Sequence, residues 1–261
     1  MERNTIHINN LTIGYKTKGV DKIIGKNLSS SINSKELTCL IGANGVGKST
    51  LLRTLSGFQP PISGEITLNN KSINNYSNKE LSKLVGVVLT EKVEVRDMSV
   101  FELVSMGRNP YTSFWGKLSG SDIAIINEAI SLVNITDLTK RSIQTLSDGE
   151  RQKAMIAKAL AQQTPIIFLD EPTAFLDFPS KVEIMQLLHT LSKTTDKTIF
   201  LSTHDLELAL QIADTIWIMD KTKGLVVGSP NQLSEDGSID NIFNRKGVSY
   251  DRNNKMFRIE K

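Results

Sequence analysis

Gly42-Ala43-Asn44-Gly45-Val46-Gly47-Lys48-Ser49-Thr50 follows the apolar run Leu37-Thr38-Cys39-Leu40-Ile41 and leads into the helix-like residues 51–55. The spacing is G-x-x-x-x-G-K-[ST] in a strand, loop, helix setting, and phosphate chemistry accounts for each residue type. Glycines let the backbone curl until successive N–H groups face a phosphate, and the N-terminus of the following helix adds partial positive charge. Lys48 then reaches the β and γ phosphates of a nucleotide, and Ser49 offers an oxygen to Mg²⁺. The nucleotide-binding set predicted from this stretch is Gly42, Asn44, Gly45, Val46, Gly47, Lys48, Ser49 and Thr50.

Further apolar runs rich in branched residues recur at 85–89, 166–169, 198–202 and 215–219, separated by longer helix-like segments. That rhythm predicts an α/β fold with a mainly parallel, buried core sheet. Alternation in Thr5-Ile6-His7-Ile8 and the run Ser63-Gly64-Glu65-Ile66-Thr67-Leu68 predict an antiparallel β layer beside it. From 99 to 163 the spacing turns helical, with Val100, Leu103, Val104 and Met106, then Ile123, Ile126, Ala129, Ile130 and Val133, then Ala154, Ile156, Ala157, Leu160 and Ala161. The expected organisation is one domain over 1–261, with an α/β core at about 1–90 and 164–261 and an inserted helical lobe at 91–163. The tail after Gly228 reads as turn-rich, with one strand candidate at 256–259.

The composition limits the partners. With 261 residues, 39% of them apolar and 23% charged, the chain has the material for a sizeable core, which excludes a disordered or collagen-like protein. A net charge of +3 gives no electrostatic footprint for nucleic acid, so none is expected as a partner. Cys39 is the only cysteine, which rules out an intramolecular disulfide or a cysteine zinc cluster. There is no apolar stretch of about 18 residues and no signal-like N-terminus, so a cytoplasmic location is expected.

Downstream, Ile166-Ile167-Phe168-Leu169-Asp170-Glu171 is an apolar strand ending in two carboxylates. Alone this would read as a solvated turn. Beside a phosphate loop it assigns Asp170 to the Mg²⁺ shell, through water, and Glu171 to the water that attacks the γ-phosphorus. Thr198-Ile199-Phe200-Leu201-Ser202-Thr203-His204 delivers a second polar edge, and His204 is placed to bond the γ-phosphate or that water. His7 and His189 lack such a setting.

This order of motifs resembles the ATP-binding cassette (ABC) family from Ile8 to about Leu233, and the most specific match is Leu146-Ser147-Asp148-Gly149-Glu150, opening a helix about twenty residues before Asp170. The resemblance implies an ATPase in which two copies sandwich two ATP molecules. Ser147, Asp148, Gly149 and Glu150 of one copy then face the nucleotide of the other. Phe175-Leu176-Asp177 resembles the family's loop between subunits, making Asp177 a communication residue, and Tyr15 resembles the aromatic that stacks on adenine. Two departures stand out. Asp148 replaces a glycine, placing a carboxylate where repulsion would weaken closure unless it points away. A glutamine that normally follows the strand at 84–89 is missing, leaving Thr90 as the aligned hydroxyl toward Mg²⁺ and Glu91 as a neighbouring alternative.

The stretch from Val100 to Tyr111, with Trp115-Gly116 and Leu118-Ser119, looks like the ATPase subunit of importers for iron–siderophore, haem and cobalamin complexes. That resemblance implies a homodimer peripheral to the cytoplasmic face of the membrane. It also implies a separate integral permease docking near 90–118 and an extracellular or periplasmic binding protein acting indirectly. The other readings are a soluble ABC ATPase outside transport and a weakly hydrolysing regulatory cassette.

Overall fold

A computed structural model describes residues 4–89, 97–112, 116–243, 247–252 and 254–259. The first two strands, β1 (Asn4–Tyr15) and β2 (Lys22–Asn33), pair antiparallel, and β4 (Ser63–Leu68) and β5 (Lys71–Ser72) extend them into a sheet of order β2-β1-β4-β5. The core sheet contains β3 (Leu37–Ile41), β6 (Val85–Val88), β7 (Ile166–Asp170), β8 (Thr198–Ser202), β9 (Thr215–Asp220) and β10 (Gly224–Gly228). Its order is β10-β9-β3-β8-β7-β6, parallel except for the β10 edge. The expected mainly parallel core beside an antiparallel layer is therefore present.

Strand alternation sorts the core sheet into two faces. Leu40, Phe168, Phe200 and Trp217 share one apolar cluster with Leu51, Leu52 and Leu55 of helix α1 (Lys48–Leu55) and with Ile6, Ile8, Leu11 and Ile13 of β1. Helix α1 is thus packed between the two sheets. Phe200 is the centre of this layer, edge-on to Phe168 at 5.7 Å and to Trp217 at 5.2 Å between ring centroids. The opposite face carries Leu37, Cys39, Ile41, Ile167, Leu169, Ile199 and Leu201 and packs against helical elements. Burial pushes the proton affinity of the Cys39 thiol up, with Asp214 adding to the effect.

After α2 (Asn78–Leu81), the lobe is built from α3 (Val100–Ser105), α4 (Gly120–Leu132) and α5 (Asp148–Ala161). Arg108, 5% exposed, holds it together: Nε donates to Asp122 Oδ1 at 2.8 Å, and Nη1 donates to Ala161 O at 2.9 Å and Gln163 Oε1 at 3.0 Å. One side chain therefore ties the end of α3, the start of α4 and the end of α5. Two lobe positions differ from the periodic reading. Met106 and Ile123 are 38% and 42% exposed. The chain tightens into a 3-10 turn at Met106–Arg108, which rotates Met106 outward. In α4 the buried face runs through Asp122, Ile126, Ala129 and Ile130, one position away from Ile123.

Helices α6 (Phe178–Thr194) and α7 (Leu206–Ile212) follow β7 and β8. The tail is more ordered than its turn-rich sequence implied, with α8 (Pro230–Glu235), α9 (Ser238–Phe243) and the hairpin of β11 (Val248–Asp251) and β12 (Met256–Ile259). Ser229 and Gln232 form a capping box with Pro230 in the first turn of α8, a helix start present in the sequence but masked by its short length.

Replacing Phe200 by Ala opens a cavity in the three-ring layer and is expected to lower the unfolding free energy by about 3–5 kcal/mol, measured by denaturant titration. Asp122 is a pH-dependent element. Its carboxylate accepts from the Ser119 hydroxyl, the Ser119 N–H and Arg108, and its pKa is lowered to about 2 from 3.8. A depressed carboxyl contributes stability above its unfolded pKa and loses it as pH falls through the folded one. The stability gap between wild type and Asp122→Asn is therefore expected to be full near neutral pH and to close between about pH 4 and pH 2 in parallel urea titrations.

Candidate nucleotide site at the carboxyl edge of the sheet

The loop after β3 and the ends of β7 and β8 meet because β8 lies between the other two strands. Ser202 is in register with Leu40 on one side and Asp170 on the other. The edge opens into a cleft of about 360 Å³ walled by Asn44, Gly45 and residues 47–50 of the loop, by Tyr15 and Ile24 of the antiparallel sheet, and by Glu171 and His204. Gly47 starts α1 with φ 118, and a Cβ there would run into Ile24 Cγ2. The start of α1 has no side-chain cap, so its first amides face the cleft as an anion site.

The Lys48 amine donates to Gly42 O at 2.9 Å and Ala43 O at 3.5 Å and lies 3.3 Å from His204 Nδ1. Burial lowers its proton affinity, while the charges of Glu171 and Asp170 push it back up. His204 Nε2 contacts Glu171 Oε1. With a cation at Nδ1 and a carboxylate at Nε2, the partners assign the tautomer that carries its proton on Nε2. Asp170, 7% exposed, accepts at Oδ1 from Ser49 Oγ at 3.1 Å and Ser202 Oγ at 2.6 Å. Glu171 takes a left-handed backbone, φ 48, with its N–H on Ser202 Oγ at 3.0 Å and Ser202 O at 3.1 Å.

Sequence-predicted residues separate into several groups. Lys48, Ser49, Thr50, Asn44, Gly45, Gly47, Glu171, His204 and Tyr15 line the cleft, and Tyr15 Oη is 3.1 Å from Thr50 Oγ1. Gly42 and Val46 do not line it: the Gly42 carbonyl holds Lys48, and the Val46 side chain is buried in the core while its N–H bonds Ala43 O. Ser147 to Glu150 and Asp177 lie away from the cleft of their own chain. Ser147 caps α5 in a capping box with Glu150, and Ser147 lowers the proton affinity of Glu150 through its N–H. Asp148 accepts from Arg151 Nη1 at 2.8 Å, so the carboxylate expected to repel nucleotide is paired within its own helix. Asp177 caps α6, accepting from Ser180 N at 3.1 Å. Thr90, Glu91 and Trp115 lie outside the described residues.

Asp205 and Ser202 were missed as site residues. Asp205 accepts from Thr173 Oγ1 and Lys181 Nζ, each at 2.9 Å, tying the turn after Glu171 and the start of α6 to the turn after His204. The only signal for it was its adjacency to His204. The donors toward a metal are the Ser49 hydroxyl and the Asp170 carboxylate, hard oxygens of the kind Mg²⁺ prefers. Among the described residues no cluster of three or more His, Cys, Asp or Glu side chains could hold a metal alone. A cation held by these two side chains would need further oxygens from outside the protein.

The sequence profile of the ABC transporter family matches residues 25–174, more than half of the chain. The chain belongs to this family. Its relatives include the petrobactin import ATP-binding protein FpuD of Bacillus anthracis, 34% identical, with 89% of this chain and 84% of the relative aligned. The iron(3+)-hydroxamate import ATP-binding protein FhuC of Bacillus subtilis is 35% identical over 92% and 88%. The ferric enterobactin transport ATP-binding protein FepC of Escherichia coli is 34% identical over 89% and 84%. Among solved structures, cbiO1 of Clostridium perfringens, part of the cbiONQ ABC transporter complex, superposes with a TM-score of 0.79 at 28% identity, covering 92% of this chain and 94% of the other. A dimeric bacterial ABC transporter cassette gives 0.74 at 27% identity over 86% and 98%. The protein is an ABC ATPase cassette.

Gly47→Ala must hold a left-handed backbone and displace Ile24. It is expected to cost about 1–3 kcal/mol of stability in a denaturant titration.

Proposed function

We propose that the chain is the ATP-hydrolysing subunit of an importer for iron–siderophore, haem or cobalamin-like metal complexes, working as a homodimer on a separate membrane permease. The observation that carries the ATPase part is the convergence of Lys48, Glu171 and His204 on one cleft beside the uncapped start of α1. The import and iron-complex part rests on relatives aligned over most of their length whose names describe iron-chelate import.

In this reading the amides at the start of α1 and the Lys48 amine hold the phosphates, Tyr15 stacks on the adenine, and Ser49 and Asp170 hold Mg²⁺, Asp170 through water. The bound cation would neutralise charge on the phosphate oxygens. Glu171 takes the proton of the attacking water and His204 bonds the γ-phosphate. The partner copy contributes Ser147 and the Gly149 amide. The Ser147 hydroxyl accepts from Glu150 N in its own helix. Asp177 reports on the partner copy, and Thr90 is assigned toward Mg²⁺.

The permease is assigned to the segment near 90–118 and to the adjoining groove of about 470 Å³ between core and lobe, where Phe58, Leu81, Val85, Val87 and Lys158 come together. Phe58 is 63% exposed, and burial lowers the proton affinity of Lys158. Tyr111 adjoins this region through Lys83, whose amine sits 5.2 Å from its ring. A short amphipathic helix from a membrane protein suits such a groove. No helix among the described residues is long and apolar enough to cross a membrane, and the chain is assigned to the cytoplasmic face as a peripheral subunit. The binding protein acts only through the permease.

Glu171→Gln is expected to lower ATP turnover by about 10²- to 10⁴-fold while keeping ATP binding. A tagged form of it, extracted from native membranes in mild detergent with MgATP, should bring down a polytopic membrane protein in equal amount. Recovery of soluble proteins only, with ATP still bound, would replace the importer by a soluble ATPase. A wild-type chain that binds ATP but turns none over, even with its permease, would mark a regulatory cassette.

A further inference from the structure

We infer that Ser202 is a positioning residue for hydrolysis, one enclosed hydroxyl that orients Asp170 and the backbone of Glu171 together. The inference rests on the ATPase reading of the cleft.

Ser202 ends β8, is fully buried, and sits in register beside Asp170, the last residue of β7. A serine hydroxyl has one proton to give and lone pairs to receive. Here the proton goes to Asp170 Oδ1 at 2.6 Å, a short charge-assisted bond, and a lone pair receives the Glu171 N–H at 3.0 Å. The Ser202 carbonyl accepts the same N–H at 3.1 Å, so the amide of Glu171 is held twice by one residue.

That amide is where geometry is needed most. Asp170 and Glu171 are neighbours, and continuing strand alternation would turn their side chains to opposite faces. Instead Glu171 has φ 48, a left-handed conformation that a non-glycine residue holds only when its surroundings impose it. The left-handed step brings the Glu171 carboxylate to His204 while Asp170 stays on Ser49. Ser202 is bonded to both halves of that divergence. Ser49 also bonds Asp170 Oδ1, but it lines the cleft, where nucleotide would draw on its hydroxyl. The hydroxyl of Ser202 is enclosed and keeps its bond to Asp170 independently of what enters. Ser202 touches no reacting atom, so its effect is confined to the placement of the two carboxylates.

The test uses the full-length chain with Ser202→Ala, and Ser202→Thr against Ser202→Val, a pair of nearly equal volume that differs in the hydroxyl. For each, kcat and KM for ATP, nucleotide affinity in EDTA and Tm are measured. Ser202→Ala and Ser202→Val are expected to lower kcat by about 10- to 100-fold with KM and metal-free affinity unchanged, and Ser202→Thr to restore most of kcat. The inference is overturned by wild-type kcat in the variants lacking the hydroxyl, by a loss carried in nucleotide affinity, by a Tm drop that Thr and Val share alike, or by Thr turning over no faster than Val. Lys48→Ala is the separate control. If it binds and hydrolyses ATP like wild type, the ATPase reading itself fails, whatever Ser202 does.

Discussion

The unsatisfied amides at the start of α1 are the constraint around which the molecule is organised. Helices α2, α3, α4, α5 and α8 all open with a serine capping box that closes their own first donors. Helix α1 opens on Gly47 with no side-chain bond and keeps its positive end for something that is not protein. Holding that end at a fixed place requires the buried layer beneath it, with β1 on one side and Phe168, Phe200 and Trp217 on the other. The strand order then sets Asp170, Ser202 and His204 opposite the loop.

Much of this was readable from residues in a row. The phosphate loop, the paired carboxylates after an apolar strand and the serine-led start of α5 are local patterns whose chemistry fixes their spacing, and the alternation of apolar runs with helical stretches carries the α/β class. What escaped was relational. Ser202 acquires its role because β8 lies beside β7 in a particular register, and its partners are 31 and 32 residues away. Met106 and Ile123 fit the helical spacing, but a tightened turn and a one-position rotation of the buried face put them outside. The tail helices were short enough for their turn residues to dominate the pattern. Of the two outcomes open for Asp148, repulsion or an early-helix carboxylate turned aside, the i, i+3 pairing with Arg151 favours the second.

Two parts of the chain that face away from their own cleft are joined to each other. A Cβ on Gly149 would stand 3.4 Å from Ser180 Oγ, so the start of α5 lies against the start of α6, and Lys153 reaches Glu183 at 2.6 Å. Asp177 caps α6, and Lys181 of α6 bonds Asp205 next to His204. The carboxyl edge and the Ser147 surface are therefore joined by continuous packing and hydrogen bonds through α6.

Cys39 has a practical consequence for labelling the protein. The chain carries one thiol, it is enclosed in the middle strand region of the core, and burial holds it in the unreactive protonated form. The native protein is in effect blank to thiol reagents. A cysteine introduced on the surface, near Phe175 or on the rim of the groove at Phe58, would take a spin label or fluorophore without background and without any need to rebuild the interior first.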